Sequence, residues 1–299
     1  MAQTPRSLLA RFSSKAQVWP CSLWRYEWFH QFPPEEYGCG ELLSLSHPEL
    51  IKECHREVLK HGADAVVTNT FGATSLIMRD YGAAGKVREA NRESARLALE
   101  ACGEVNPNAY AVGSLGPTTT LLTLSHAPAS VVEQAYFEQA SALYEGGIRI
   151  FYLEACDDPL NALAALRALT RLEKQFSTSV GKVVTVHVLE NANTLFGTSL
   201  NEFWELVHPF SPLAFGPKGH FEDVKEAISS ISLSDVPLAA MIDVFAVPPS
   251  PVGWIESPES LCKDLASLRT QCDIRIIGTG IISEPDHIGS LVQSLHLNS

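Results

Sequence analysis

The sequence has no Cys-x-x-Cys pair. Its seven cysteines, Cys21, Cys39, Cys54, Cys102, Cys156, Cys262 and Cys272, form an odd and scattered set. That arrangement argues against a disulfide framework or an ordered zinc-ribbon spacing and points to a reducing compartment. Uninterrupted apolar runs of about 18 residues are also missing, as is a short apolar segment followed by a small-residue cleavage site, so neither a membrane span nor a secretory leader is expected. Cations are scarce: 22 Lys and Arg face 34 Asp and Glu, for a formal net charge of −12. Such a field repels nucleic acid and anionic membrane surfaces and leaves a small molecule or a protein as the expected partner. With 19 glycines and 18 prolines in 299 residues, the chain is far from collagen-like or disordered composition. What it does have is length, enough to bury about 75% of the surface of the unfolded chain without staples.

The opening of the chain differs from the rest. Arg6, Arg11, Lys15 and Arg25 all precede the first acid, Glu27, in a serine-containing stretch, a composition similar to that of an organellar transit peptide. We therefore read residues 1–38 as an amino-terminal extension, disordered or targeting, and residues 39–299 as the folded unit. A cytoplasmic location is expected, with a mitochondrial or other organellar one as the alternative.

Beyond Glu41 short β-rich apolar runs alternate with longer amphipathic stretches, the pattern of parallel strands joined by helices. Expected strands are Ala63–Asn69, Tyr110–Gly116, Ile148–Ala155, Lys182–Val188, Pro212–Phe215, Val236–Asp243 and Ile274–Gly278. Ser46 with Glu49, Ser130 with Glu133 and Ser283 with Asp286 offer helix starts with a capping side chain. Val132, Ala135, Tyr136, Leu143 and Tyr144 recur at helical steps and should share a buried face. Such a succession of βα repeats in one uninterrupted domain predicts an α/β fold of the (β/α)8 TIM-barrel type. An open doubly wound sheet is the alternative. The remaining strand falls near Gln17–Leu23, irregular or degenerate because of Pro20 and the cluster Trp19, Trp24, Trp28.

In such barrels the working residues sit at the carboxyl ends of the strands. That rule nominates Asn69 and Thr70, then Gly113, Gly116 and Pro117, whose small side chains leave backbone amides for a ligand. It also nominates Glu154 with Cys156, Asp157 and Asp158, His187, the loop Gly216, Lys218, Gly219, His220, then Asp243, and the turn Gly278-Thr279-Gly280. Glu154 reads either as a charge-assisted acceptor for a ligand amino group or as a helix cap. His187 reads as a satisfied core histidine or as an acid-base group, along with Asp157 and His220. Lys218, flanked by glycine, reads as a solvated side chain rather than a Schiff-base lysine. Cys156, His187 and His220 could converge on a metal, although their spacing is irregular. The turn from Gly278 to Ser283 reads as an anion site at a helix start or as a plain tight turn.

Taken in order, several blocks resemble the homocysteine S-methyltransferase family, which includes the homocysteine-binding domain of cobalamin-dependent methionine synthase. They are PELIKECHREVLKHGADAVVTNTFGAT from Pro48, Tyr81 with Asn91, AVGSLGPT from Ala111, FYLEA from Phe151 and IIGTGIISEPDHI from Ile276. The resemblance implies a (β/α)8 barrel that binds a small thiol or amino acid, with Glu154 receiving the amino group and Asn69, Thr70 and Gly116 on the rim. It implies methyl transfer to a thiolate held by zinc, the metal in turn held by three cysteines from a Gly-x-Asn-Cys and a Gly-Gly-Cys-Cys-Gly motif. At those three positions this chain has Gly219, Gly280 and Ile281. A DGxMGT opening has no clear counterpart, and a PNxG block reads Met241-Ile242-Asp243-Val244. No cofactor is therefore expected, zinc included, and the usual zinc-thiolate route is doubtful. The expected function is methyl transfer involving a small thiol or amino acid, with a separate cobalamin- or folate-binding protein as a candidate partner. The alternatives are a pseudoenzyme that binds a metabolite or partner protein, or a phosphate-ligand barrel built on Gly278–Ser283.

Overall fold

The computed structural model describes residues 10, 16–22, 38–231, 237–243, 245–246, 254–255, 257–280 and 285–297. Eight parallel strands form one sheet: β1 Gln17–Trp19, β2 Ala65–Val67, β3 Tyr110–Leu115, β4 Ile150–Cys156, β5 Gly181–His187, β6 Ala214–Gly219, β7 Leu238–Ile242 and β8 Ile274–Thr279. Each strand from β2 to β7 pairs with the next, β7 with β8 and β8 with β1. The seam between β1 and β2 is bridged by Asp64, whose amide donates to the Val18 carbonyl (2.9 Å) and whose Oδ2 accepts from the Val18 amide (3.0 Å). The sheet thus curls into a nearly closed (β/α)8 barrel, not the open doubly wound alternative.

Between and after the strands lie α1 Pro48–Lys60, α2 Val87–Val105, α3 Ala129–Glu145, α4 Pro159–Phe176, α5 Leu200–Val207, α6 Phe221–Ser230, α7 Pro258–Gln271 and α8 Pro285–Leu297. Side chains alternate across a strand, so each strand serves two cores. Trp19, Ala65, Val67, Tyr110, Val112, Ile150, Tyr152, Ala239, Met241 and Ile276 fill the barrel interior. Their neighbours Val18, Val66, Ala111, Phe151, Ala240 and Ile277 face outward into the layer shared with the helices. Inside, the Trp19 ring meets Tyr152 edge-on with centroids 6.2 Å apart. Five of the seven cysteines are buried free thiols and the other two half-buried.

The expected strands are present, and the first of them, expected as irregular, is three residues long and lies ahead of position 39. The sixth differs most. It runs through Gly216-Pro217-Lys218-Gly219, where the Gly-Pro pair reads as a loop, because pairing with β5 and β7 on both sides carries the extended backbone onward. Helix starts also differ. Ser46 ends a short helical turn, Leu43–Ser46, and α1 begins at Pro48 with no side-chain cap. Ser130 lies inside α3, which begins after Pro128. Ser283 lies outside the described residues. Working caps include Asp158 on α4, a Ser199–Glu202 capping box on α5 and Ser257 on α7. On α3, Val132, Ala135, Tyr136 and Leu143 are buried as expected and Tyr144 partly so. A two-residue antiparallel pair, Phe245–Ala246 with Trp254–Ile255, follows β7 without a clear sequence signal.

Candidate functional site

Continuing the inward-facing register of β3, β4 and β6 toward their carboxyl ends brings Ser114, Glu154 and Lys218 together. Ser114 Oγ donates to Glu154 Oε2 at 2.9 Å. Lys218 Nζ donates to Glu154 Oε1 at 3.2 Å, with side chains only 3% and 2% exposed. The Ser22 amide, just past β1, approaches the same Oε1 at 3.5 Å. The reading of Lys218 as solvated is therefore corrected: once Pro217 is inside the strand, alternation turns the lysine into the barrel. A buried charge needs a partner, and these two residues supply each other's. Below them Tyr152 Oη and Thr185 Oγ1 share a hydrogen bond of 2.9 Å, and burial raises the Tyr152 phenol well above its ordinary range. Just past Glu154 the backbone turns through a left-handed residue, Ala155 (φ 56°), and the β4–β5 register shifts. The Ala155 amide donates to Thr185 Oγ1 at 3.2 Å.

A second polar network lies beside the first, around β2 and β3. Thr68 Oγ1 and Thr70 Oγ1 are 2.6 Å apart, Thr68 Oγ1 accepts from the Ser114 amide (3.0 Å), and Thr70 Oγ1 donates to the Ser114 carbonyl (2.9 Å). Gln139 of α3 donates to the Thr70 carbonyl at 2.6 Å. Asn69 Nδ2 donates to the Gly40 carbonyl (2.8 Å) and approaches Ser44 Oγ (3.3 Å). Its Oδ1 and Gln139 Oε1 are buried with no intramolecular partner. The Gly116 amide, expected to be free for a ligand, instead donates to the Phe71 carbonyl (3.0 Å), while the Gly116 carbonyl accepts from Tyr136 Oη (2.8 Å). Thr68 and Thr70 thus hold the Ser114 backbone, while Asn69 and Gly116 tie the same wall to Gly40, Phe71 and Tyr136.

On the rim, Asp157 Oδ1 lies 3.1 Å from His187 Nδ1, both half-buried. Asp158 is structural: it caps α4 through the Leu160 and Asn161 amides and accepts from the Thr123 amide and hydroxyl. His220 is exposed just ahead of α6. Burial pushes the Cys156 thiol up, which makes it a poor ligand or nucleophile. Cys156, His187 and His220 do not converge, and among the described residues no three His, Cys, Asp or Glu side chains cluster as a metal site would require.

The ends of β6 and β8 decide how well zinc fits. Gly219 and Gly280 carry no ligand atom, and Ile281 lies outside the described residues. A Cβ at Gly280 would collide with Asp243 Oδ1, and one at Gly219 would lie 2.7 Å from the Val188 carbonyl oxygen. Asp243 is itself buried, its amide donating to the Gly219 carbonyl (2.8 Å). The space a cysteine arm at Gly280 would need is filled by that carboxylate. These residues do not fit a zinc ion held by thiolates from the ends of β6 and β8. The expected anion turn loses a donor too, since the Gly280 amide is bonded to the Ile242 carbonyl (2.6 Å).

Fold and site together define a TIM-type barrel with a buried ionic cluster at the carboxyl mouth. The family follows from comparison with known proteins: residues 10–295 match the family model for homocysteine S-methyltransferase, and the chain belongs to that family. It is 28% identical to methionine synthase of Mycobacterium leprae over 262 residues, 84% of this chain and 22% of that protein. The Mycobacterium tuberculosis methionine synthase is 27% identical over the same coverage. The chain thus spans 22% of the length of these relatives. Among solved structures, the metallated form of the Escherichia coli homocysteine methyltransferase MmuM superposes with a TM-score of 0.76 at 18% identity, covering 96% of this chain and 98% of that one. Its apo form gives 0.74 at 17% identity, covering 97% and 100%. At that identity the likeness is one of fold.

Proposed function

We propose that this chain is a small-molecule-binding member of the family that holds a thiol or amino-acid ligand at the barrel mouth but does not activate sulfur through a three-thiolate zinc site. For that reaction it is a pseudoenzyme. One observation carries the reading: the Asp243 carboxylate stands where a cysteine at position 280 would have to place its side chain. A free thiol has a pKa near 8.5, and without a cation to lower it only a few per cent is thiolate at neutral pH. Glu154 and Ser114, with Asn69 and Thr70 beside them, are the groups that would meet such a ligand.

A second reading, metal-free methyl transfer, is favoured by the Asp157–His187 contact. His187 would take the thiol proton as general base, Asp157 would hold the ring, and the thiolate would attack a methyl group whose carrier leaves. The candidate holder of the methyl carrier in this reading is a cobalamin- or folate-binding protein.

The test is native mass spectrometry of the purified protein followed by calorimetry with homocysteine, its deamino analogue 4-mercaptobutanoate, and inorganic phosphate. The expected result is no stoichiometric zinc and binding of a thiol compound. One tightly held equivalent of zinc overturns the proposal, and binding of phosphate alone moves the site to the turn after β8. Methyl transfer that disappears in His187→Gln, with thiol binding intact, selects the second reading.

A further inference from the structure

We infer that Lys218 is a tethered occupant of the Glu154 carboxylate, so that the pocket selects small thiols or thioethers without an ammonium group over amino acids. This rests on the reading that a small thiol binds at the barrel mouth, and it adds which kind.

A buried carboxylate facing into a barrel mouth is a receptor for an alkylammonium ion. Here the alkylammonium is the chain's own. Lys218 reaches from β6 to β4 with β5 between them, and its Nζ lies 3.2 Å from Glu154 Oε1. The second oxygen, Oε2, accepts from Ser114 Oγ at 2.9 Å. Both carboxylate oxygens are therefore engaged by the protein, and the charges of Glu154 and Lys218 offset each other inside it. A ligand ammonium would have to displace one that is covalently attached and present at high effective concentration. Entering without displacement would place two ammonium groups at one carboxylate, which like-charge repulsion opposes. A ligand with a thiol or thioether end and no amino group meets neither obstacle.

The tethering has a local cause. Gly216 and Gly219 leave Lys218 as the long side chain at the end of β6, and Pro217 pairs opposite Val186 in extended conformation, which fixes the lysine on the inward face. Shifting the register by one residue would turn Lys218 out to the helix layer and leave Glu154 without its cation.

The experiment is calorimetry of homocysteine and 4-mercaptobutanoate against the wild type and Lys218→Met, at a pH where both thiols are protonated. The wild type should bind 4-mercaptobutanoate at least as tightly as homocysteine. In Lys218→Met, homocysteine should tighten by about tenfold or more relative to its deamino analogue. A wild type that prefers homocysteine by tenfold, or a preference unchanged by the substitution, overturns the inference while the thiol pocket stands. If neither compound binds either protein, the thiol reading itself falls, and the occupancy of Glu154 is then decided by a second arm. Propylammonium should raise the melting temperature of Lys218→Ala in a dose-dependent way, with no effect on the wild type or on Lys218→Ala combined with Glu154→Gln. No rise in Lys218→Ala overturns the inference. Should Lys218→Met fail to fold, Lys218→Gln, which keeps a hydrogen bond to Glu154 without the charge, is read by the same comparison.

Discussion

Around β2, β3 and β4 the buried polar groups are locked to one another: Thr68, Thr70 and Ser114 bond in a closed set, and Gln139 reaches in from α3. At the ends of β6, β7 and β8 two buried charges stand beside glycines, with Lys218 spanning to β4 and Asp243 pressed against Gly280. The first region coincides with the sequence blocks that most resemble the family, and the second with the departures from it. A hydrogen-bonded wall that joins β2, β3 and α3 resists piecemeal change, because each lost partner leaves a further unsatisfied group. The strand tips carry fewer such obligations. At those tips the residues differ from the cysteine pattern that the resemblance implies, while the barrel beneath matches the family fold.

Substitutions in both regions sharpen or break that contrast. The largest effect is expected where the two regions meet. Glu154→Gln removes the carboxylate beside the buried Lys218 ammonium and should cost about 3–5 kcal/mol, read by urea denaturation. Adding Lys218→Met to it should recover much of the loss, and strict additivity of the two would show that the contact is unimportant. At the strand tips, Gly280→Cys should destabilise by about 1–3 kcal/mol through overpacking against Asp243. Asp243→Gly in the same chain should relieve it. In the hydrogen-bonded wall, Thr68→Val removes the acceptor of the Ser114 amide and should cost a similar ~1–3 kcal/mol, read by the same denaturation.

The smallest effect per step concerns acid. His55 on α1 is fully buried with no hydrogen-bond partner on either ring nitrogen, and burial lowers it from 6.5 to about 3. Between those values the unfolded chain binds a proton that the folded chain does not. Stability therefore falls as pH drops from about 6.5, by up to about 1.4 kcal/mol per unit. His55→Leu should lack this contribution, so its stability advantage over the wild type should widen steadily on acidification; parallel curves would show that the imidazole titrates normally.

Much of the scaffold was legible in the sequence because buried parallel strands are written as short apolar runs, as in Ala65–Val67 and Ile150–Cys156. Glu154 was legible because a carboxylate at the end of such a run has to meet a partner. Its actual partner was not. Gly216-Pro217 suppresses the strand signal just before Lys218, and local propensity cannot see the pairing on both sides that overrides it. Counting alternate residues on from Ala214 through Gly216 would have turned Lys218 inward. Ser46 and Ser130 do not act as caps, because α1 starts on Pro48 and α3 starts directly after the extended Pro128. The bond from the Gly116 amide to the Phe71 carbonyl is invisible to any local pattern.

The seam at Asp64 has a consequence of its own. A cylinder of strands resists opening as well as its weakest join, and here, among the described residues, the main chain and carboxylate of one aspartate tie a three-residue strand to its neighbour. Deuterium should enter the Val18 amide before those of β3 to β5, and replacing that aspartate with alanine should let the hoop spring at this point while the helices outside keep their shape.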